Sequence, residues 1–290
     1  MAYAAGMIDT RLEEFVAAHR RLFVLTGAGC STASGIPDYR DEQGAWKRTP
    51  PVTYQAFVGD TAVRQRYWAR SLLGWPRIAD ATPNEAHRAL AALESHGRCE
   101  LLLTQNVDGL HQAAGSRSVI DLHGRLDAVV CLACGASSAR ARLQLRLAQA
   151  NPGWIDLQAD TAPDGDADLD GRDFGTFQIP ACEACGGMLK PDVVFFGENV
   201  PRARVETAMA HLARADAMLV VGSSLMVYSG LRFAHAAVRQ GQPVAAVGLG
   251  RTRADDLLAF RVAAPCADAL GFLREGAARP ASTTRPVAAG

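Results

Sequence analysis

No stretch of this 290-residue chain holds the roughly 18 consecutive apolar residues of a membrane-spanning helix. Net charge is missing as well: 30 Lys and Arg balance 30 Asp and Glu. That balance removes the bulk electrostatic attraction that nucleic acids and anionic membranes exert, so neither partner is expected. Residues 1–8 lack the apolar run of a secretory signal, and Glu13 and Glu14 follow too soon for an acid-poor transit peptide. A cytoplasmic protein is expected. An even cysteine count is absent too. Seven cysteines without a secretory leader argue against a disulfide framework.

Hydrophobic residues make up 49% of the chain and charged residues 21%, as in a globular protein. Thr10 and Glu13 have capping-box spacing before a helix expected to reach Arg20. Short apolar runs at 22–25, 101–104, 119–122, 193–196, 217–221 and 243–247 read as buried strands. Helical patterns at 61–73, 201–213 and 230–239 separate them, and residues 36–60 read as a long loop. Thr82 and Pro83 have the form of an N-cap and first helical residue. Strands alternating with helices predict an α/β fold with a Rossmann-like, mostly parallel sheet. Residues 131–185 break the alternation and hold two C-x-x-C pairs, so a smaller inserted zinc-binding module is expected. The expected division is 1–126 with 190–274 for the main domain, 127–189 for the small one, and 275–290 as a disordered tail.

The cysteines carry the plainest chemistry. Cys131-x-x-Cys134 and Cys182-x-x-Cys185 each form a knuckle able to offer two thiolates to one tetrahedral ion. Gly135 and Gly186 follow the pairs and help backbone amides face the sulfurs. Four thiolates close the coordination sphere, which predicts one structural zinc ion rather than a catalytic one. A redox C-x-x-C site is the rival reading, without a thioredoxin-like context to support it.

The polar motifs follow the predicted strands, where parallel sheets bind ligands. Gly27-x-Gly29 suits a phosphate approaching bare backbone, or merely a tight strand-to-helix turn. The usual dinucleotide fingerprint fails at Thr32. Thr104-Gln105-Asn106-Val107-Asp108-Gly109 offers amide and carboxylate groups, or a plain Asx-turn. His123 stands after the third strand beside Gly124, which is read as leaving open backbone there. A histidine at such a strand end can titrate near neutral pH.

Together these segments resemble one family. GAGCSTASGIPDYR (27–40) is similar to the first sirtuin motif, TQNVDGLH to the second, and DLHG, KPDVVFFGE and GSSL follow in the family's order. The resemblance spans roughly residues 10–272. It implies an NAD-dependent protein lysine deacetylase, or deacylase, that passes the acyl group to ADP-ribose and releases nicotinamide. It places NAD, the co-substrate, against Gly27, Ala28, Gly29 and Ser31, and along Ile36, Pro37, Asp38, Tyr39 and Arg40. Further NAD contacts are implied at Gln105, Asn106, Val107 and Asp108, at Gly222, Ser223 and Ser224, at Gly248, Leu249 and Gly250, and at Cys266. His123 becomes the general base and Asn106 a second catalytic group. Val194, Phe195, Phe196, Gly197 and Glu198 are assigned to the cleft for acylated lysine side chains of proteins, where the peptide adds as a strand. The cysteine spacing and FQIPACEACGGMLKPDVVFFGENVP (177–201) look most like the class II branch.

Two departures stand out. Gly248 occupies the position of the family's usual Asn near the adenosine ribose, a loss of one hydrogen bond worth about 1 kcal/mol. Ala45 and Arg48 stand where the desuccinylase branch has Tyr and Arg. Rival functions are protein mono-ADP-ribosyl transfer from the same NAD site, a zinc-ribbon binding module, and a hydride-transferring dehydrogenase. The balanced charge opposes the second. Thr32, and the lack of an acidic residue ending the second strand, oppose the third.

Overall fold

The computed structural model describes residues 10–47, 51–155, 157 and 172–274. Arg48, most of the acidic stretch 160–173 and the tail 275–290 lie outside the described residues.

The chain builds its main sheet in two visits. Strands β1 (Leu22–Thr26), β2 (Cys99–Thr104) and β3 (Val119–Asp121) are laid down first. The chain then leaves for a small sheet of β4 (Gly124–Cys131), β5 (Ser137–Ala139) and β6 (Leu189–Val193). It returns with β7 (Ala217–Val221), β8 (Val244–Val247) and β9 (Phe260–Val262). The main sheet runs β3-β2-β1-β7-β8-β9, and every neighbouring pair is parallel. The small sheet, β5-β4-β6, is antiparallel.

A parallel sheet covered on both faces needs strands that are apolar throughout. β1 and β7 meet that demand, with every residue buried. Alternate residues of β1 feed two cores: Leu22 and Val24 one, Phe23 and Leu25 the other. A third core joins Phe57, Trp68 and Leu72 to Val129, Leu143, Phe177 and Leu189. The helix Thr61–Ala79 thus shares a core with the small sheet. Arg140 ties that helix to Arg140–Ala150: its fully buried guanidinium donates to the Ser71 carbonyl and hydroxyl at 3.2 and 3.1 Å.

Several expected boundaries move. Asn84, not Thr82, caps the helix Glu85–Ser95: its side chain accepts from the Ala86 amide at 2.8 Å, and the His87 ring accepts from the Asn84 amide at 3.2 Å. An asparagine two residues closer to the helix simply outcompetes the threonine. Thr10 lies inside the first helix, which ends at Ala18 rather than Arg20. The loop 36–60 contains the helix Tyr54–Gly59, capped by Thr53. Residues 194–196 are not the strand expected there, because β6 ends at Val193. They bridge two elements instead, with Val194 donating to the His123 carbonyl and Phe196 accepting from the Tyr54 amide. Gly124 is not beside open backbone. Its φ is +80°, and a Cβ there would lie 2.0 Å from the Asp192 carbonyl oxygen. Only glycine lets β4 and β6 meet at this point.

Candidate active site

Register brings the carboxyl ends of the strands level. Thr26 pairs with Thr104 and Val221, Thr104 with Asp121, and Val221 with Val247, which pairs with Val262. The loops after β1 and β7 leave in opposite directions, because the strand order reverses between them. A crevice opens at such a switch point. Here it is a cavity of about 830 Å³. Gly27, Ala28, Gly29 and Ser31 line it, with residues 36–40, 105–108, 194–198, 222–224 and 248–250, His123 and Cys266. Every position singled out for NAD or acyl-lysine therefore reaches one space. The four paired cysteines do not line it.

The glycines of the first loop do more than leave room for a phosphate. A Cβ on Gly27 would lie 2.8 Å from the Ser223 Cβ, and one on Gly222 would lie 2.3 Å from the Cys30 nitrogen. The two loops interlock through backbone. Gly27 and Gly29 spend their amides on the carbonyls of Val221 and Gly222, at 3.0 and 2.8 Å. Gly248 has a φ of +155°, which a side chain rarely adopts. The missing Asn is thus matched by a backbone that suits glycine.

Asn106 and Asp108 are held from several sides. The Asn106 amide group donates to the Gly27 carbonyl at 3.1 Å and to the Ser31 hydroxyl at 3.0 Å. Both amide hydrogens are occupied, leaving the carbonyl oxygen, an acceptor suited to positive charge. The Ser31 hydroxyl donates to Asp108 at 2.7 Å, and the Leu110 amide fixes the other carboxylate oxygen at 2.9 Å. Donor atoms of Cys30, His87 and His111 lie within 4.8 Å of one another. Yet the Asn84 amide occupies Nδ1 of His87, so its Nε2 carries the proton and faces the Ser31 hydroxyl at 3.4 Å. That makes the group a hydrogen-bonding core rather than a ligand set.

His123 has a defined tautomer. Its Nδ1 lies 3.0 Å from the Gln105 carbonyl, which can only accept, so Nδ1 carries the proton. Nε2 is left with a lone pair, 2.8 Å from the Ser229 hydroxyl. Burial pushes the ring's pKa down to about 4; the Gln105 carbonyl opposes this, and Arg204 and Arg232 add to it. The imidazole is neutral at pH 7, as a base must be. Sequence reading missed Ser229 and Arg232, both lining the cavity. Only their place just after GSSL, on the first turns of the helix Tyr228–Arg239, hints at them.

The acyl-lysine segment divides its duties. Phe196 stacks edge-on with Trp46 at 5.5 Å, walling the cavity. Glu198 also faces inward to the protein, accepting from Lys190 at 3.1 Å and from the Phe195 amide at 2.9 Å. Lys190 is only 4% exposed, so its charge depends on that carboxylate. Glu198→Ala is expected to cost roughly 3–5 kcal/mol in urea unfolding by stranding a buried ammonium. The double variant Glu198→Gln/Lys190→Met should recover most of the loss. Ala45, exposed, turns its amide to Asp41 at 2.8 Å.

The cysteine knuckles lie in the small sheet's unit. Cys131 and Cys185 have their sulfurs 3.5 Å apart, Cys134 and Cys182 3.9 Å, and all four lie within 4.8 Å of one another. Zinc–sulfur bonds of about 2.3 Å put tetrahedral sulfurs about 3.8 Å apart. The donor set therefore fits zinc without rearrangement. Gly135 and Gly186 have φ of +72° and +73°, closing each knuckle tightly. Amides of Cys134 and Ala133 lower the Cys131 thiol toward the thiolate a metal needs, while Cys185, against the pull of the Gly187 amide, is pushed up to about 12 by the sulfurs of Cys134 and Cys131.

The sequence profile of the Sir2 family matches residues 27–229. The chain belongs to the Sir2 family. Among its relatives is an NAD-dependent protein deacetylase of Xanthomonas campestris pv. campestris (strain 8004), 66% identical over 275 residues, which cover 95% of this chain and 94% of that protein. NAD-dependent protein deacetylase 2 of Bradyrhizobium diazoefficiens is 64% identical over 269 residues, covering 93% and 98%. A solved Sir2 structure with p53 peptide and NAD+ superposes with a TM-score of 0.74 at 30% identity, covering 93% and 97%. Another, with deacetylated p53 peptide and 3'-O-acetyl ADP ribose, gives 0.75 at 31%, covering 93% and 99%. The sirtuin resemblance read from the motifs and the α/β fold are both borne out.

Proposed function

We propose that this Sir2-family chain is an NAD-dependent protein lysine deacetylase with one structural zinc ion. One observation carries the reading: a neutral imidazole with an unprotonated Nε2 lines the same cavity as every loop assigned to NAD and to acyl-lysine. The names of relatives at 64–66% identity agree with it.

NAD, when bound, supplies a ribose carbon that becomes electrophilic as nicotinamide departs. The interlocked loops 27–29 and 222–224 hold the phosphate end, while Asp108 and residues 36–38 hold the carboxamide. Asn106 turns its carbonyl oxygen to the developing positive charge. The acyl-lysine lies along residues 194–198, walled by Phe196 and Trp46. His123 Nε2 takes a proton from a ribose hydroxyl, freeing that oxygen to attack the acyl carbon. Residues 1–126 with 190–274 are assigned to NAD and 127–189 to the zinc, with β4 and β6 of the small sheet crossing both bounds. The cysteine spacing supports placement in the class II branch. A cytoplasmic location is part of the same proposal; separately, no described helix is long and apolar enough to cross a membrane.

The test mixes purified protein, NAD labelled in its adenylate, and an acetyl-lysine peptide. Nicotinamide release matched one for one by peptide deacetylation is expected. Label incorporated into protein without deacetylation would make mono-ADP-ribosyl transfer the main reaction. No nicotinamide release with any acylated peptide would end the reading.

A further inference from the structure

His123 is bracketed at both nitrogens by uncharged groups. The Gln105 carbonyl takes Nδ1–H at 3.0 Å, and the Ser229 hydroxyl sits 2.8 Å from Nε2. Among the described residues it has no carboxylate partner, unlike a base oriented by a third, anionic group. The charges that do face it are the guanidinium groups of Arg204 on the helix Arg202–Leu212 and Arg232 on the helix Tyr228–Arg239. Both oppose the imidazolium that proton abstraction must create. Something beside Nε2 has to accept that new N–H bond.

We infer that Ser229 is the positioning residue for the base, rotating its hydroxyl to donate to neutral His123 and accept from it once protonated. Its place in the fold suits that duty. Ser229 is 9% exposed, second in its helix, and so fixed in backbone. Neighbouring Gly230 has no room for a Cβ, which would lie 2.6 Å from the Gln105 side-chain nitrogen. The helix start is therefore pressed against the residue that sets the other nitrogen. A hydroxyl can both donate and accept at a single atom. During turnover the substrate O–H bond breaks and Nε2–H forms, while Ser229 exchanges no proton and only reverses its hydrogen bond. A hydrogen bond to a charged donor is roughly twice as strong as one between neutral groups, so the reversal favours the protonated base.

This inference rests on the proposed deacetylase reading, and its test separates the two. Wild type, Ser229→Ala and Ser229→Thr are compared for kcat and KM with NAD and an acetyl-lysine peptide, and by 15N NMR of the His123 ring. Ser229→Ala should lower kcat roughly tenfold to a hundredfold, the size of one hydrogen bond to a charged group, with KM for NAD nearly unchanged. Its Nε2 resonance should move to that of a free lone pair, and Ser229→Thr should restore both. Unchanged kcat and Nε2 resonance in Ser229→Ala would overturn the role. So would a loss that Ser229→Thr fails to rescue, or one that falls on KM alone. An inactive wild type strikes the deacetylase reading itself, and the NMR comparison still decides whether the hydrogen bond exists.

Discussion

Replacing His123 by alanine is expected to slow acyl transfer by roughly two to four orders of magnitude, the usual contribution of a positioned general base. In the proposed mechanism, release of nicotinamide precedes the step in which His123 acts. Exchange of labelled nicotinamide into NAD should therefore survive in the variant while deacetylation collapses. Measuring both on one preparation, with a thermal melt to show that the fold persists, isolates the base. Parallel loss of exchange and deacetylation would assign His123 to cofactor binding instead. The pH profile gives an independent reading. Because burial holds the ring near a pKa of about 4, the acid limb of kcat/KM should lie well below the ordinary histidine value of about 6.5. The sign follows from the protonation state: only the neutral ring accepts a proton, so activity falls as pH drops through the folded pKa.

The second large effect concerns the metal. Four sulfurs within 4.8 Å, held by two glycine-closed knuckles, form a site whose binding energy is folding energy. Stripping zinc with a strong chelator should lower the unfolding midpoint sharply, and Cys134→Ser should do the same without chelator. The knuckles hold β4 and the start of β6, and the third core packs on those strands together with the helix Thr61–Ala79. Loss of zinc should therefore expose that helix to proteolysis before the main sheet opens. Metal analysis should give one zinc per chain. A chelated protein with an unaltered melt would remove the structural role.

The parts of this molecule visible in its sequence are those fixed by short-range patterning. β7 coincides with the expected strand 217–221 because an unbroken apolar run between turn signals has no other stable placement. The knuckles were legible because paired thiolates with two residues between them have few uses outside metal binding. What escaped depends on contacts between distant segments. β4 is half-exposed and mixed in character, so nothing in GRLDAVVC announces a strand until β6 lies beside it. Glu198 reads as a cleft residue by its neighbours, yet Lys190 claims its carboxylate. Ser229 becomes notable only when the fold brings it across 106 positions of sequence to His123.

The three thiols outside the knuckles are chemically quiet. Burial lifts Cys99 and Cys266 to about 12 and Cys30 well above its ordinary value, so none offers a thiolate at physiological pH. Cys30 and Cys266 both border the cavity, which makes that space a poor target for alkylating drugs and peroxide alike. The exposed sulfurs, Cys134 and Cys185, both belong to the knuckles rather than to the cavity. For this chain, oxidative injury is an attack on architecture: the enzyme would fall silent by losing its shape, not by having its pocket blocked.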